Sequence, residues 1–204
     1  MPILALVRHG ESLWNLEDRF TGWVDVPLTA HGKEEARKGG LAMLRAELTF
    51  DLAYTSVLIR AHETLDVILA VTGYDLPVIR DEALNERHYG DLQGLSKDAM
   101  RKEYSDEQVH LWRRSYDIPP PNGESLKDTA ARTLPFYERA ILQDIRLDKD
   151  VLVVAHGNSN RAIVMMLDDL SEDEVPGLEL PTGVPLIYDL EADGTVRDKR
   201  VLDF

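Results

Sequence analysis

Two short apolar runs constrain this chain more than anything else in it. Residues 3–7 (ILALV) and 151–155 (VLVVA) each break off into a histidine followed by glycine, the first as Arg8-His9-Gly10 and the second as His156-Gly157-Asn158-Ser159. Neither run alternates with polar residues, the pattern of strands covered on both faces, as in a parallel sheet. Such a sheet needs helical crossovers on its two faces. Ligands of open parallel sheets gather at the carboxyl ends of the strands, where both histidines belong. If the two strands are neighbours, about 5 Å apart, their imidazoles share one site.

The chain between them fits an α/β fold. Thr29 reads as an N-cap for a helix over 30–47, with Ala36, Gly40, Leu41, Leu44 and Leu48 as its inward stripe. A strand over 50–56 leads into a helix over 57–72 that Gly73 stops, with Arg60 in its first turn. Residues 77–80 form a third strand and 83–94 a loop. The polar but periodic segment 96–116 reads as a small helical lid within a single domain spanning 1–204. Ser125 and Asp128 have capping-box spacing for a helix in which Pro135 predicts a bend. A helix over 159–170 and a closing hairpin over 186–190 and 195–202 complete a mostly parallel sheet with helices on both faces.

Charge narrows the partners. The net charge of -14 repels polyanions and argues against a nucleic-acid surface, so an anionic ligand must be held by a local basic cluster. The absence of cysteine excludes thiol chemistry and zinc-thiolate sites. No apolar run spans a bilayer and no charged leader precedes the first strand, so no membrane partner and a cytoplasmic location are expected.

Two histidines with Glu11 or Glu86 would suit a metal, but Arg8 beside His9 and Arg60 at the same sheet edge repel a cation and suit an anion, so none is expected. Guanidinium groups grip phosphate in bidentate fashion, and glycine lets backbone N–H groups approach it. Neither nucleotide phosphate loop is present, and Gly157-Asn158-Ser159-Asn160-Arg161 lacks the last glycine of the serine-hydrolase elbow. What remains is imidazole as a nucleophile toward phosphorus, with cations neutralising the transferred group. An acid is then needed for the leaving oxygen. Glu86 is the candidate, its pKa raised toward neutrality by a bound anion.

These residues resemble the histidine phosphatase superfamily and, more narrowly, the cofactor-dependent phosphoglycerate mutases. The matching segments are RHGESLWN (8–15), FTGWVDVPLT (20–29), AYTSVLIRA (53–61), LNERHYGDLQGL (84–95), DEQVHLWRR (106–114), AHGNS (155–159) and PTGVPL (181–186). The resemblance implies that His9 is the phosphorylated nucleophile and Glu86 the proton donor and acceptor. Arg8, Arg60 and His156 would hold the phosphoryl group, assisted by Asn15, Gly157 and Asn158. Thr21, Gly22, Tyr89, Lys97, Arg113 and Arg114 would bind the rest of the substrate, including its carboxylate. It further implies interconversion of 2- and 3-phosphoglycerate primed by 2,3-bisphosphoglycerate, without a metal. A broad phosphomonoester phosphatase is the alternative enzyme, and a phospholigand-binding module the alternative outside catalysis. Larger family members carry an additional segment where this chain runs from Pro121 to Glu124, and a longer tail beyond the last strand. Homo-oligomerisation therefore stays open. Asn160 stands where relatives commonly have leucine.

Overall fold

The computed structural model describes all residues, 1–204. Its centre is a six-stranded sheet in the order β3-β2-β4-β1-β5-β6. Strands β1 (Ile3–Arg8), β2 (Leu52–Thr55), β3 (Val78–Arg80) and β4 (Val151–Ala155) are parallel to one another. The hairpin β5 (Pro185–Leu190) and β6 (Val196–Val201) adds an antiparallel edge. β1 and β4 are neighbours, in a register that sets Arg8 opposite Ala155. The next amide continues the ladder, His9 N–H donating to Ala155 O at 2.9 Å, so both histidines leave the sheet side by side.

Side chains alternate across a strand, and the two faces feed separate cores. Leu4, Leu6, Tyr54, Val151 and Val153 pack under α6 (Leu126–Phe136), α7 (Leu142–Arg146) and α8 (Gly157–Leu167). Ala5, Val7, Ala53, Leu152 and Val154 pack under α2 (Ala30–Arg45) and α3 (Ile59–Thr72). This is the expected α/β sandwich, with helices on both faces of a mostly parallel sheet. No helix is long and apolar enough to cross a membrane.

Several local expectations hold. Thr29 caps α2, Gly73 ends α3 in the left-handed conformation at φ 74°, and Ser125 and Asp128 form the capping box of α6. Others need correction. Leu44 is exposed, and Gly39, Ala42 and Met43 lie inward instead. Helix α8 begins at Gly157 and ends at Leu167, two residues earlier than expected at its start and three at its end. The 83–94 loop carries two 3-10 turns, Glu82–Leu84 and Gly90–Leu92. After Pro135, the chain passes into a π-helical turn, Tyr137–Ile141, before α7. Proline cannot donate to the carbonyl four residues back, and the wider turn begins two residues after it.

The segment 96–116 folds as two helices, α4 (Lys97–Tyr104) and α5 (Asp106–Arg114). They are separated at Ser105, whose φ of 108° turns the chain and whose Oγ accepts from Gln108 N–H to start α5. A small core of Phe20, Leu92, Met100, Val109 and Trp112 fixes the pair over the sheet edge. Burying each such side chain stabilises the arrangement by about 1.5–3 kcal/mol. The basic residues of α4 and α5 thus face the ends of β1 and β4 from a distance in sequence of about a hundred residues from His9.

Candidate active site

An open cleft of about 110 Å³ lies at the carboxyl ends of β1 and β4. It is walled by seven cationic side chains, Arg8, Arg19, Arg60, Lys97, Arg113, Arg114 and Arg161, against one carboxylate, Glu86. Asn15, Thr21, Gly22, Tyr89, Gly157 and Asn158 complete the expected residues on its wall. His156 is the exception. It is fully buried one step behind His9, with the two rings 5.0 Å apart between centroids.

His9 is held at both nitrogens. Its Nδ1 lies 2.7 Å from Gly10 O, and because a carbonyl only accepts, Nδ1 carries the proton. Nε2 therefore keeps its lone pair and accepts from Arg60 Nε–H at 3.3 Å. Burial, then the charges of Arg60 and Arg8, hold the His9 pKa well below its usual value, so the ring is neutral. His156 is likewise kept neutral, chiefly by burial and then by Arg60. Its Nε2 is 2.7 Å from Ser56 Oγ, while its Nδ1 is buried without a partner.

Arg60 sits in the first turn of α3, where the sequence places it, and is only 1% exposed. Its Nη2 donates to Gly22 O at 2.7 Å and Nη1 to Val24 O at 3.1 Å, which orients the guanidinium toward His9. Asn15 is used partly by the backbone: its Oδ1 accepts from Ser12 N–H and Oγ–H in the capping box of the short helix α1 (Leu13–Leu16). Lys97 pairs with Asp18 at 2.8 Å, and Arg114 with Glu179 at 2.7 Å.

Glu86 is ionised in the ligand-free site. Oε1 accepts from Asn158 N–H at 3.1 Å, Asn158 Nδ2 at 2.8 Å and Arg87 N–H at 2.8 Å, whereas Oε2 carries no hydrogen bond. Burial pushes its pKa up, but these donors together with Arg60 and Arg8 outweigh burial and bring it down to about 2. The free site thus holds a carboxylate, and the raised pKa expected for an acid must come from bound ligand. Its loop is mounted on α6: Arg132 donates to the carbonyls of Ala83, Asn85 and Glu86, and Thr133 Oγ to Ala83 O.

Sequence reasoning missed Arg19 and Arg161. Arg161 was read only as the residue that spoils a hydrolase motif, yet it donates from Nη1 to Asn158 Oδ1 at 3.1 Å and from Nε to Leu178 O at 2.8 Å. Its position three residues after Asn158 on α8 was the available signal. Asn160 lies off this cleft, buried, its Oδ1 without a partner on the wall of a separate, largely apolar cavity of about 100 Å³ behind Arg8.

Ligand atoms of His9, Glu86 and His156 converge within 4.8 Å, a spacing a metal could use. Arg60, however, takes the Nε2 lone pair of His9, and its charge together with that of Arg8 opposes a cation beside that ring. The same ring of cations, with Arg8 Nε and Thr21 Oγ buried and unpartnered on its wall, fits an anion of several charges. A phosphoryl compound with a second anionic group meets that description.

A buried neutral imidazole at the end of β1, ringed by guanidinium groups and faced by one carboxylate, defines an enzyme of phosphohistidine type. The chain belongs to the histidine phosphatase superfamily, whose branch 1 model matches residues 4–199. It is 56% identical over 200 residues to the 2,3-bisphosphoglycerate-dependent phosphoglycerate mutase of Rhizobium johnstonii, covering 98% of this chain and 95% of that one. The mutase of the same name from Methylobacterium sp. (strain 4-46) is 56% identical over 202 residues, covering 98% and 97%. Among solved structures, Bacillus stearothermophilus YhfR superposes with a TM-score of 0.83 at 30% identity, covering 97% and 95%. Within the superfamily, the chain is thus a member of the 2,3-bisphosphoglycerate-dependent phosphoglycerate mutase family.

Proposed function

We propose that this chain interconverts 2-phosphoglycerate and 3-phosphoglycerate through a phosphorylated His9. The observation that carries this reading is the two-ended cleft. His9, Arg8 and Arg60 lie at one end, and Tyr89, Lys97, Arg113 and Arg114 come from the loop and helices opposite. A phosphatase for simple monoesters needs only the first end. The second suits a substrate carboxylate, and the curated relatives at 56% identity favour the mutase over the phosphatase alternative.

The His9 Nε2 lone pair forms the N–P bond in line with the departing oxygen, while the Nδ1–H to Gly10 O bond fixes the ring. Arg8 and Arg60 neutralise the equatorial oxygens, where phosphoryl transfer concentrates charge. His156, kept neutral behind His9, uses the N–H on one ring nitrogen to steady the same group. 2,3-Bisphosphoglycerate, when bound, supplies the phosphoryl group that primes His9. Glu86 enters each cycle as a carboxylate, so its first act is to accept the proton of the substrate hydroxyl as that oxygen attacks phosphorus. The ligand's negative charge then stabilises the protonated form of Glu86. On the return transfer, Glu86 gives the proton back to the leaving oxygen. Helices α4 and α5 act as the lid that closes the carboxylate end.

The partners are small phosphoglycerates, the expected location is cytoplasmic, and no metal takes part. Incubation with 3-phosphoglycerate, with and without 2,3-bisphosphoglycerate and with a chelator, tests the reading. The expected result is bisphosphate-dependent, chelator-resistant formation of 2-phosphoglycerate, with an acid-labile phosphoenzyme that His9→Ala abolishes. Release of inorganic phosphate as the sole product would overturn it.

A further inference from the structure

Three arginines of the cleft are tied to one strip of chain. Arg114 Nη1 donates to Pro176 O at 3.3 Å, Arg161 Nε to Leu178 O at 2.8 Å and Arg8 Nη1 to Leu180 O at 3.0 Å. Alternate carbonyls of the strip therefore face the arginine cluster. Between them, Glu179 places a full negative charge 2.7 Å from Arg114 Nη2, the one carboxylate of the strip that pairs with a cleft residue. Glu179 is itself mostly in solvent, with 69% of its side chain exposed, whereas Arg114 is 26% exposed.

That pairing has a physical reason in the free site. Seven cations share one cleft with a single carboxylate on its wall, and the Arg113–Arg114 pair is adjacent in sequence. Like charges sharing one cleft repel, and the Glu179 carboxylate offsets that repulsion at Arg114. A ligand arriving with its own carboxylate meets a guanidinium that is already paired.

We infer that Glu179 is a resident counter-ion for Arg114, which the substrate's carboxylate displaces on binding and which recaptures Arg114 as the ligand leaves. The inference rests on the mutase reading, in which Arg114 grips that carboxylate. Glu179 does not touch the reacting atoms and is a positioning residue. Its charge weakens the grip on every carboxylated ligand and lets bound phosphoglycerate exchange.

The test is Glu179→Gln, which keeps the shape and removes the charge. For an exposed pair, the change in affinity should be about two- to fivefold. The KM for 3-phosphoglycerate and its dissociation constant by calorimetry should fall by that factor, with kcat not raised. The affinity for inorganic phosphate, which lacks a carboxylate and binds at the His9 end, should be unchanged. Equal tightening of both ligands would make Glu179 a general field effect and overturn the displacement. A raised KM for 3-phosphoglycerate would make Glu179 a support for the arginine and overturn it as well. Glu179→Asp, which retains the charge, should restore wild-type values, and its failure to do so would also count against the inference. The wild-type enzyme separates the two readings: if it forms no 2-phosphoglycerate, the mutase assignment fails, whereas an active wild type with a silent Glu179→Gln refutes only the counter-ion.

Discussion

At the residue scale, the site combines buried neutral imidazoles with a buried carboxylate, and this has a consequence for acid stability. His9 and His156 are both held well below the usual histidine range, chiefly by burial and then by Arg60. In the unfolded chain they take up protons below about pH 6.5, while in the folded chain they do not. The unfolded state therefore binds more protons, and stability falls as pH drops below about 6.5 toward their folded pKa values. Glu86, brought down to about 2, adds a second window in which stability falls from about pH 4.5 to 2. The thermal midpoint should accordingly decline with acid in two stages, and His156→Gln should make only the upper one shallower, leaving the share due to His9. A midpoint that stays level from about pH 7.5 to 5.5 would contradict this account. None of it could be read from the sequence. The charge of Glu86 is held by the Arg87 N–H next to it and then by Asn158, which the fold brings from 72 residues away.

At the element scale, β1 delivers His9 against the start of α2 through two glycines in backbone contact. A Cβ at Gly10 would lie 2.1 Å from Gly32 O, and one at Gly32 would lie 2.1 Å from Glu11 O. Neither neighbour is a flexible side chain that could swing aside. Gly32→Ala should cost about 1–3 kcal/mol of stability by overpacking. It should also lower kcat by about tenfold to a hundredfold, because the backbone that must yield belongs to the His9 turn. Thermal melts paired with turnover measure both, and a variant with wild-type kcat would show that the contact does not position His9. The strands that carry the histidines were legible because continuous apolar runs have few other readings. The face of α2 was legible at Ala36 and Gly40 but not at Gly39, which is buried without any hydrophobic signal and meets Gly183 O across the interface. Arg161 had a signal in its spacing from Asn158, but its second anchor, Leu178 O, is a backbone group that no side-chain pattern reports.

At the scale of the whole molecule, a chain of net charge -14 concentrates seven cations in one cleft. Their mutual repulsion is relieved by any anion that binds, so anion binding and folding are linked. At about a hundred times its dissociation constant, a ligand adds about 2.7 kcal/mol, which for a chain of this size is a rise of about 5–10 °C in midpoint. Inorganic phosphate should therefore raise the melting temperature well beyond chloride at matched ionic strength, and Arg8→Gln should remove most of the difference. Equal protection by both salts would reduce the effect to screening. The overall α/β architecture and nearly all of the cleft wall were readable from matched segments spread along the chain. The depth of His156 and the charge balance at the far rim emerged only from the packing.

The arginine that holds the Glu86 loop shows what such a site would require if it were moved. Arg132 reaches four of the loop's carbonyls, binds both oxygens of Glu124 and lies over the ring of Trp23. Glu124 in turn accepts from His88 N–H, and Trp23 Nε1 donates to Glu86 O. The peptide from 82 to 88 is therefore not a transplantable unit. A designer who grafted it onto another scaffold would carry over the carboxylate without its mounting, which is supplied by residues about forty and sixty positions away on either side.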